Sequence, residues 1–323
     1  MVQNNQNLIS QIVAVAADYE LGAPTPQRVT DWLEQIRPGY RDIVLSELAH
    51  VLSQTYINKA TVKQWMADFV RDVGVVGNNP EAFWRDAILL DVQGGGQSQR
   101  DMNQMVSAAV SAEFGFFPHV TSANPTYIYV DDISYSGTRI LRDIERWAVD
   151  HAPDGARLLI YTPVVHAYGW WKVGEELRRR ESMRHINWTW SRKVTLEDRR
   201  AYTYSSDVLR PISLPENEPN VQQYVEGFTR PAVYRQNGSL GSLGIFSSLP
   251  SREGLEKGLL IAGVDARLQC VHFPATHRPL GFNGLEMMGF GSTIVTYRNC
   301  PNNAPLALWA GHPWIPLFPR RNN

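Results

Sequence analysis

Apolar residues first recur along the chain at intervals of three and four. They do so over residues 8–17, then at Val29, Trp32, Leu33 and Ile36, at Ile43, Val44, Leu48, Val51 and Leu52, and at Val62, Trp65, Met66, Phe69 and Val70. This spacing predicts four amphipathic helices, the last two over 40–56 and 61–73. Thr25 is placed to cap the second helix, with Pro26 at its first position and Pro38-Gly39 closing it. Gly74, Gly77, Asn78 and Asn79 make 73–80 read as a linker.

Beyond the linker the rhythm changes. Short apolar runs at 87–92, 127–130, 157–161 and 186–190 alternate with helical patterns. Such alternation predicts a parallel sheet covered by helices and joined by right-handed crossovers. Residues 192–218 are polar and proline-bearing and read as an excursion. A helix follows over 251–261, weakened by Gly254 and Gly258, then a strand over 264–273. A glycine-marked strand over 289–297 and an Asn-rich turn return Leu306, Leu308 and Trp309 to the core. The fold class is α/β, divided as a helical module over 1–78 and a parallel-sheet domain over 79–323.

One stretch carries candidate chemistry. Tyr127-Ile128-Tyr129-Val130 reads as a buried strand, followed by Asp131-Asp132, a polar loop with Ser134, Ser136, Gly137 and Thr138, and a helix. That helix turns Ile140, Leu141, Ile144, Trp147 and Ala148 inward and Arg142, Asp143, Glu145 and Arg146 outward. In an open α/β sheet, ligands sit beyond the carboxyl ends of the strands, and a helix start offers amides and a positive dipole end to a phosphate. Two adjacent carboxylates repel, and burying them unpaired costs about several kcal/mol, so they call for a polar ligand, a metal or water. The plainer alternative is an acidic pair that caps the next helix. One βα unit earlier, Gln93-Gly94-Gly95-Gly96-Gln97-Ser98 forms another strand–loop–helix junction, whose glycines let backbone approach an anion closely or merely make a flexible connection.

The stretch from Tyr127 to Arg139 resembles the diphosphoribosyl-binding signature of type I phosphoribosyltransferases: an apolar strand, two acids, a short spacer, then a hydroxyl residue and glycine. The resemblance implies a parallel-sheet phosphoribosyltransferase-like core. It implies that Asp131 and Asp132 hold the ribose 2′ and 3′ hydroxyls, directly or through the waters of a Mg²⁺ ion. Ser134, Tyr135, Ser136, Gly137 and Thr138 would take the 5′-phosphate, and Gly94, Gly95, Gly96, Gln97 and Ser98 the pyrophosphate. Tyr135 stands where base-salvage members often carry an acid, and Arg139 where a threonine is common; both departures argue against ordinary purine salvage. Arg139 is either a phosphate partner or a surface helix arginine. In the tail, Arg278-Pro279-Leu280-Gly281, Gly289-Phe290-Gly291, Pro301-Asn302-Asn303 and Leu308-Trp309 resemble phosphoribosyltransferase-like proteins of bacterial anti-phage conflict loci, some of which accompany retron reverse transcriptases. The N-terminal helices would then be an accessory part.

Composition narrows the choices. A formal net charge of −1 gives no global basic field for nucleic acid. In the N-terminal helices, Arg28, Arg37, Arg41, Lys59 and Lys63 are interspersed with Asp31, Glu34, Asp42, Glu47 and Asp68, which suits a solvated or protein-docking face better than a DNA-binding helix-turn-helix. Two cysteines make no disulfide scaffold or zinc module. The polar N-terminus is no signal peptide and no long apolar run exists, so a cytoplasmic protein without a membrane span is expected. His119, His166, His185, His272 and His277 lack metal-ligand spacing. The reading is a phosphoribosyltransferase-like transferase or nucleotide-cleaving effector acting on phosphoribosyl pyrophosphate or a related nucleotide. One alternative is a non-catalytic nucleotide sensor docked to a protein partner such as a reverse transcriptase; the other is a nucleic-acid-binding accessory.

Overall fold

Thr25 caps its helix as expected: its hydroxyl accepts from the Arg28 amide at 3.2 Å, and Pro26 takes the first turn. The computed structural model describes all residues except 1, 96, 119–121, 198–206, 233, 236–242, 271–272, 275, 282–287, 290 and 321–323. The chain opens with α1 (Val2–Val15), α2 (Pro26–Glu34), α3 (Arg41–Thr55) and β1 (Tyr56–Ile57). These elements share a core with the C-terminal part of the chain, so residues 1–59 and 197–323 form one compact unit and residues 60–196 a second. The expected division at 78 therefore does not coincide with either boundary.

The second unit begins with α4 (Lys59–Arg71), α5 (Val73–Val76) and α6 (Pro80–Asp86). The linker expected over 73–80 shrinks to Gly77, Asn78 and Asn79 between two short helices, each with its own cap. Asp72 accepts from the Gly74 amide at 3.0 Å and Asn79 from the Ala82 amide at 3.1 Å. Trp84, fully buried, donates its indole N–H to the Val70 carbonyl at 2.9 Å and ties α6 to α4. The chain continues through β2 (Ala87–Leu89), α7 (Ser98–Phe114), β3 (Thr126–Val130), β4 (Ile133–Ser134), α8 (Thr138–Asp150), β5 (Arg157–Tyr161), β6 (Val164–His166), α9 (Ala167–Arg179), β7 (Asn187–Ser191) and β8 (Val194–Leu196). β2, β3, β5 and β7 lie in that order, all parallel, as predicted. Side chains alternate across them. Tyr129, Leu158 and Ile160 bury against Ile140, Ile144 and Trp147 of α8 and Val173 and Leu177 of α9. Tyr161, one residue on, stacks on Phe69 of α4 at 3.8 Å between centroids.

The first unit resumes with α10 (Pro219–Glu226), α11 (Leu249–Gln269), β9 (Val295–Thr296) and α12 (Leu306–Trp309). α11 runs past the helix predicted over 251–261 and takes most of the strand expected over 264–273; Val271 and His272 lie outside the described residues. An unbroken buried run does not reveal its period, which is why this segment reads equally as strand. Its glycines serve close packing. A Cβ on Gly254 would fall 2.4 Å from Ile43 of α3, and one on Gly258 2.4 Å from Val44. The strand expected over 289–297 shrinks to β9, which pairs in parallel with β1; Phe290 lies outside the described residues. The supposed excursion over 192–218 contains β8 and the fully buried Val208, Leu209 and Arg210.

The tail motif proves to be a packing device. Gly281 and Gly289 have φ of 84° and 81°. A Cβ on Gly281 would lie 2.1 Å from the Asn303 carbonyl, one on Gly291 1.9 Å from the same oxygen, and one on Gly289 1.7 Å from the Gly281 carbonyl. Leu308 and Trp309 are buried beside them. Among the described residues no helix is long and apolar enough to cross a membrane. Gly263 of α11 meets the Pro279 carbonyl at 2.5 Å from a built Cβ, and backbone there cannot swing aside as a side chain would. Gly263→Ala is therefore expected to lower stability by about 2–3 kcal/mol, read as a drop in the urea midpoint. An unchanged midpoint would contradict this packing.

Candidate functional site

Three neighbouring strands break at one level in the second unit, and the acidic pair sits in that break. β3 gives way to Asp131-Asp132, β5 to Thr162-Pro163 and β7 to Arg192-Lys193; each resumes as β4, β6 and β8, in parallel order β4-β6-β8. Proline has no N–H for the ladder. Its carbonyl instead accepts from both Lys193 and Val194 amides, at 2.9 and 2.8 Å. The sheet bends there without losing its register.

Asp131 is 4% exposed. Its Oδ1 accepts from the Asp132 amide at 3.0 Å, and Gln93 Nε2 approaches its Oδ2 at 3.5 Å. Gln93 is itself held by Ser98 Oγ and the Gln99 amide, which donate to its Oε1 at 3.2 and 3.4 Å. The buried Gln99 side chain closes the loop's base by accepting from the Val92 and Gln93 amides, both at 2.9 Å. Gly94, Gly95 and Gln97 are exposed beyond this clamp; Gly96 lies outside the described residues. Burial, and then the charge of Asp132, raise the Asp131 carboxyl from its ordinary 3.8 to about 8, against the hydrogen bonds from Ser98 and the Asp132 amide. Asp132 is half-buried and accepts from the Ile133 amide at 2.9 Å.

The expected polar loop is shorter than its sequence suggests. Ile133 and Ser134 form β4, paired with Val164 and Val165. Ser134 is 3% exposed, and its hydroxyl is buried without a hydrogen-bond partner among the described residues. The Tyr135 ring is buried, 6.2 Å from the His166 ring. Ser136 is half-buried, and its Oγ accepts from the Thr138 amide at 3.4 Å. Gly137, with φ 67°, is the N-cap of α8, which has no side-chain cap; Thr138 and Arg139 are exposed in its first turn. Glycine at both seams makes the seat possible. A Cβ on Gly169 of α9 would fall 1.5 Å from the Tyr135 carbonyl, and one on Gly137 2.0 Å from Val173.

Sequence reasoning passed over several residues here. Gln93 and Gln99 gave no signal beyond lying beside glycines. Asp143, assigned to the outer face of α8, is fully buried, and Tyr129 donates its hydroxyl to Asp143 Oδ2 at 3.2 Å. Burial pushes the Asp143 carboxyl up; Tyr129, then Arg142, Arg139 and Arg146, pull it back. His166 is a core histidine, as the spacing suggested, while His119 and His272 lie outside the described residues. A separate cavity of ≈ 760 Å³, lined by Phe83, Arg157, Arg178 and Trp188 among others, lies where the strands begin, away from the acidic pair.

Among the described residues no group of three or more His, Cys, Asp or Glu side chains could hold a metal ion. Two adjacent carboxylates nonetheless fit a Mg²⁺ ion of the kind held by one or two acids, water and substrate phosphates. Asp131 and Asp132 are the residues that would hold it, and the ion would neutralise phosphate charge.

A parallel sheet with an acidic pair at a strand end, followed by a glycine-capped loop and helix, defines a phosphoribosyltransferase-like protein. The chain matches the PRTase-CE family, a phosphoribosyltransferase-like family associated with conflict systems, over residues 29–320, and belongs to it. The match begins inside α2, so α3 and α4 fall within the family's shared region. No curated protein and no solved structure shows a significant match.

The raised Asp131 carboxyl sets a pH dependence. The folded protein keeps a proton that the unfolded chain loses near 3.8, so this stabilisation is fully present below about pH 4 and is lost as pH rises through about 8. Asp131→Asn should remove a decline on the order of a few kcal/mol across that window and raise the melting temperature at pH 9. Parallel wild-type and variant curves of melting temperature against pH would contradict it.

Proposed function

We propose that this protein binds phosphoribosyl pyrophosphate or a related nucleotide and acts as a phosphoribosyltransferase-like effector of a bacterial defence system. The observation that carries this reading is the convergence of Asp131-Asp132, the clamped glycine loop and the start of α8 at one break in the sheet. Asp131 and Asp132 hold the ribose hydroxyls, with Mg²⁺ between acids and phosphates. The Ser136 hydroxyl and the amides of Gly137, Thr138 and Arg139 hold the 5′-phosphate at the positive end of α8. Ser134 and Tyr135 support that loop from beneath. Gly94, Gly95, Gln97 and Ser98 take the pyrophosphate, together with Gly96, which lies outside the described residues. Bond cleavage at the anomeric carbon develops positive charge on the ribose, so the protein's work is to hold the sugar and stabilise the departing pyrophosphate. The defence role rests on the family and on the tail motif.

A second reading has its own support. Asp131 is buried beneath Gln93, which suits a pocket that senses a nucleotide without turning it over. Pyrophosphate release from labelled phosphoribosyl pyrophosphate separates the two. Turnover by the wild type, reduced at least about 100-fold in Asp131→Asn/Asp132→Asn, supports the transferase. Tight binding without release, abolished in the same variant, supports the sensor; absence of both sinks the site. At pH 7, Mg²⁺ together with ligand is expected to expel close to one proton, seen as a binding heat that varies with buffer ionisation enthalpy and vanishes above about pH 9.

A further inference from the structure

We propose that Arg146 binds the diphosphate of the ligand at the glycine loop. This rests on the phosphoribosyl reading above. The Arg146 guanidinium lies against the loop. A Cβ built on Gly94 would stand 2.9 Å from its Nη1, 3.6 Å from Nη2 and 3.7 Å from Cζ. Any side chain at 94 would displace it, so the first glycine of the run is what lets a cation rest on this backbone.

Two further arginines share a flank of α8 with Arg146. Arg139, Arg142 and Arg146 recur at i, i+3 and i+7 along one flank of α8. The buried carboxyl among them is Asp143, which Tyr129 holds from the sheet at 3.2 Å and Arg142 approaches at 3.6 Å. Among the described residues Arg146 makes no ion pair within 4.0 Å, although all three arginines act on Asp143 at longer range. All three guanidinium groups act on Asp143, and Arg146 alone also reaches the loop, which Asp131 meets through Gln93. A guanidinium there adds a charge-assisted, bidentate partner for a diphosphate to the exposed amides of the glycine loop.

The spacing fits a ligand charged at both ends. Thr138, at the start of α8, and Arg146 are eight residues apart, about 12 Å along the axis. Helical side chains lean back toward the N-terminus, which brings the guanidinium nearer the proposed 5′-phosphate. Asp131, joined to the loop through Gln93, lies at the end of β3, the strand that leads through β4 into α8.

The test is calorimetric titration of the full chain, in Mg²⁺, with ribose 5-phosphate and separately with inorganic pyrophosphate. Arg146→Gln is expected to weaken pyrophosphate at least 10-fold and leave ribose 5-phosphate within 2-fold, with partial recovery in Arg146→Lys. Gly94→Ala, which keeps the arginine but crowds it off the loop, should weaken pyrophosphate in the same direction. Arg146 is exposed, so these variants are expected to keep the wild-type melting temperature. If ribose 5-phosphate binds and Arg146→Gln leaves pyrophosphate unchanged, the arginine proposal falls and the phosphoribosyl reading stands. If the wild type binds neither probe, the phosphoribosyl reading falls and takes this proposal with it.

Discussion

Everything at the candidate site follows from a carboxyl group placed where the sheet bends and water is nearly excluded. Asp131 has no cation to pair with among the described residues, and its neighbour along the chain is another acid. Burial therefore drives it toward the neutral form near pH 7, against the hydrogen bonds that Ser98 and the Asp132 amide donate to it. A strongly paired Asp would be a strut. An unpaired one lacks the solvation that folding took away, which the proposed ribose diol or ion would restore.

The bend is as important as the acid. Interrupting β3, β5 and β7 at the same level keeps each strand in register while opening backbone for turns. The continuation through β4 shortens the loop before α8 to Tyr135, Ser136 and Gly137. Gly169 then lets α9 press on the Tyr135 carbonyl, which fixes the loop without spending a side chain on it. A short loop seated on backbone keeps its amides in place before a ligand arrives.

The other unit shows how one residue type serves different ends. In α11, Gly254 and Gly258 admit α3 side chains, and Gly263 admits a backbone carbonyl. In the tail, Gly281 and Gly289 take positive φ, and all three tail glycines meet backbone oxygens that any Cβ would strike. The tail glycines are thus a constraint on packing, separate from the residues proposed to bind phosphate.

What the sequence determined by itself was local: the Thr25 cap, the alternation of strands and helices that gives the parallel α/β class, and the acidic pair before a glycine-capped helix. Thr25, β5 and the start of α8 are examples, since capping and side-chain period act within a few residues. Tertiary structure alone decided which helices share a core, and so joined α3 to α11 across nearly two hundred residues of chain. It also turned the expected strand after Gly263 into helix, buried Ser134, Tyr135 and Asp143, and laid Arg146 on Gly94. Those outcomes depend on the space left between elements that are distant in sequence, and no local pattern records that space.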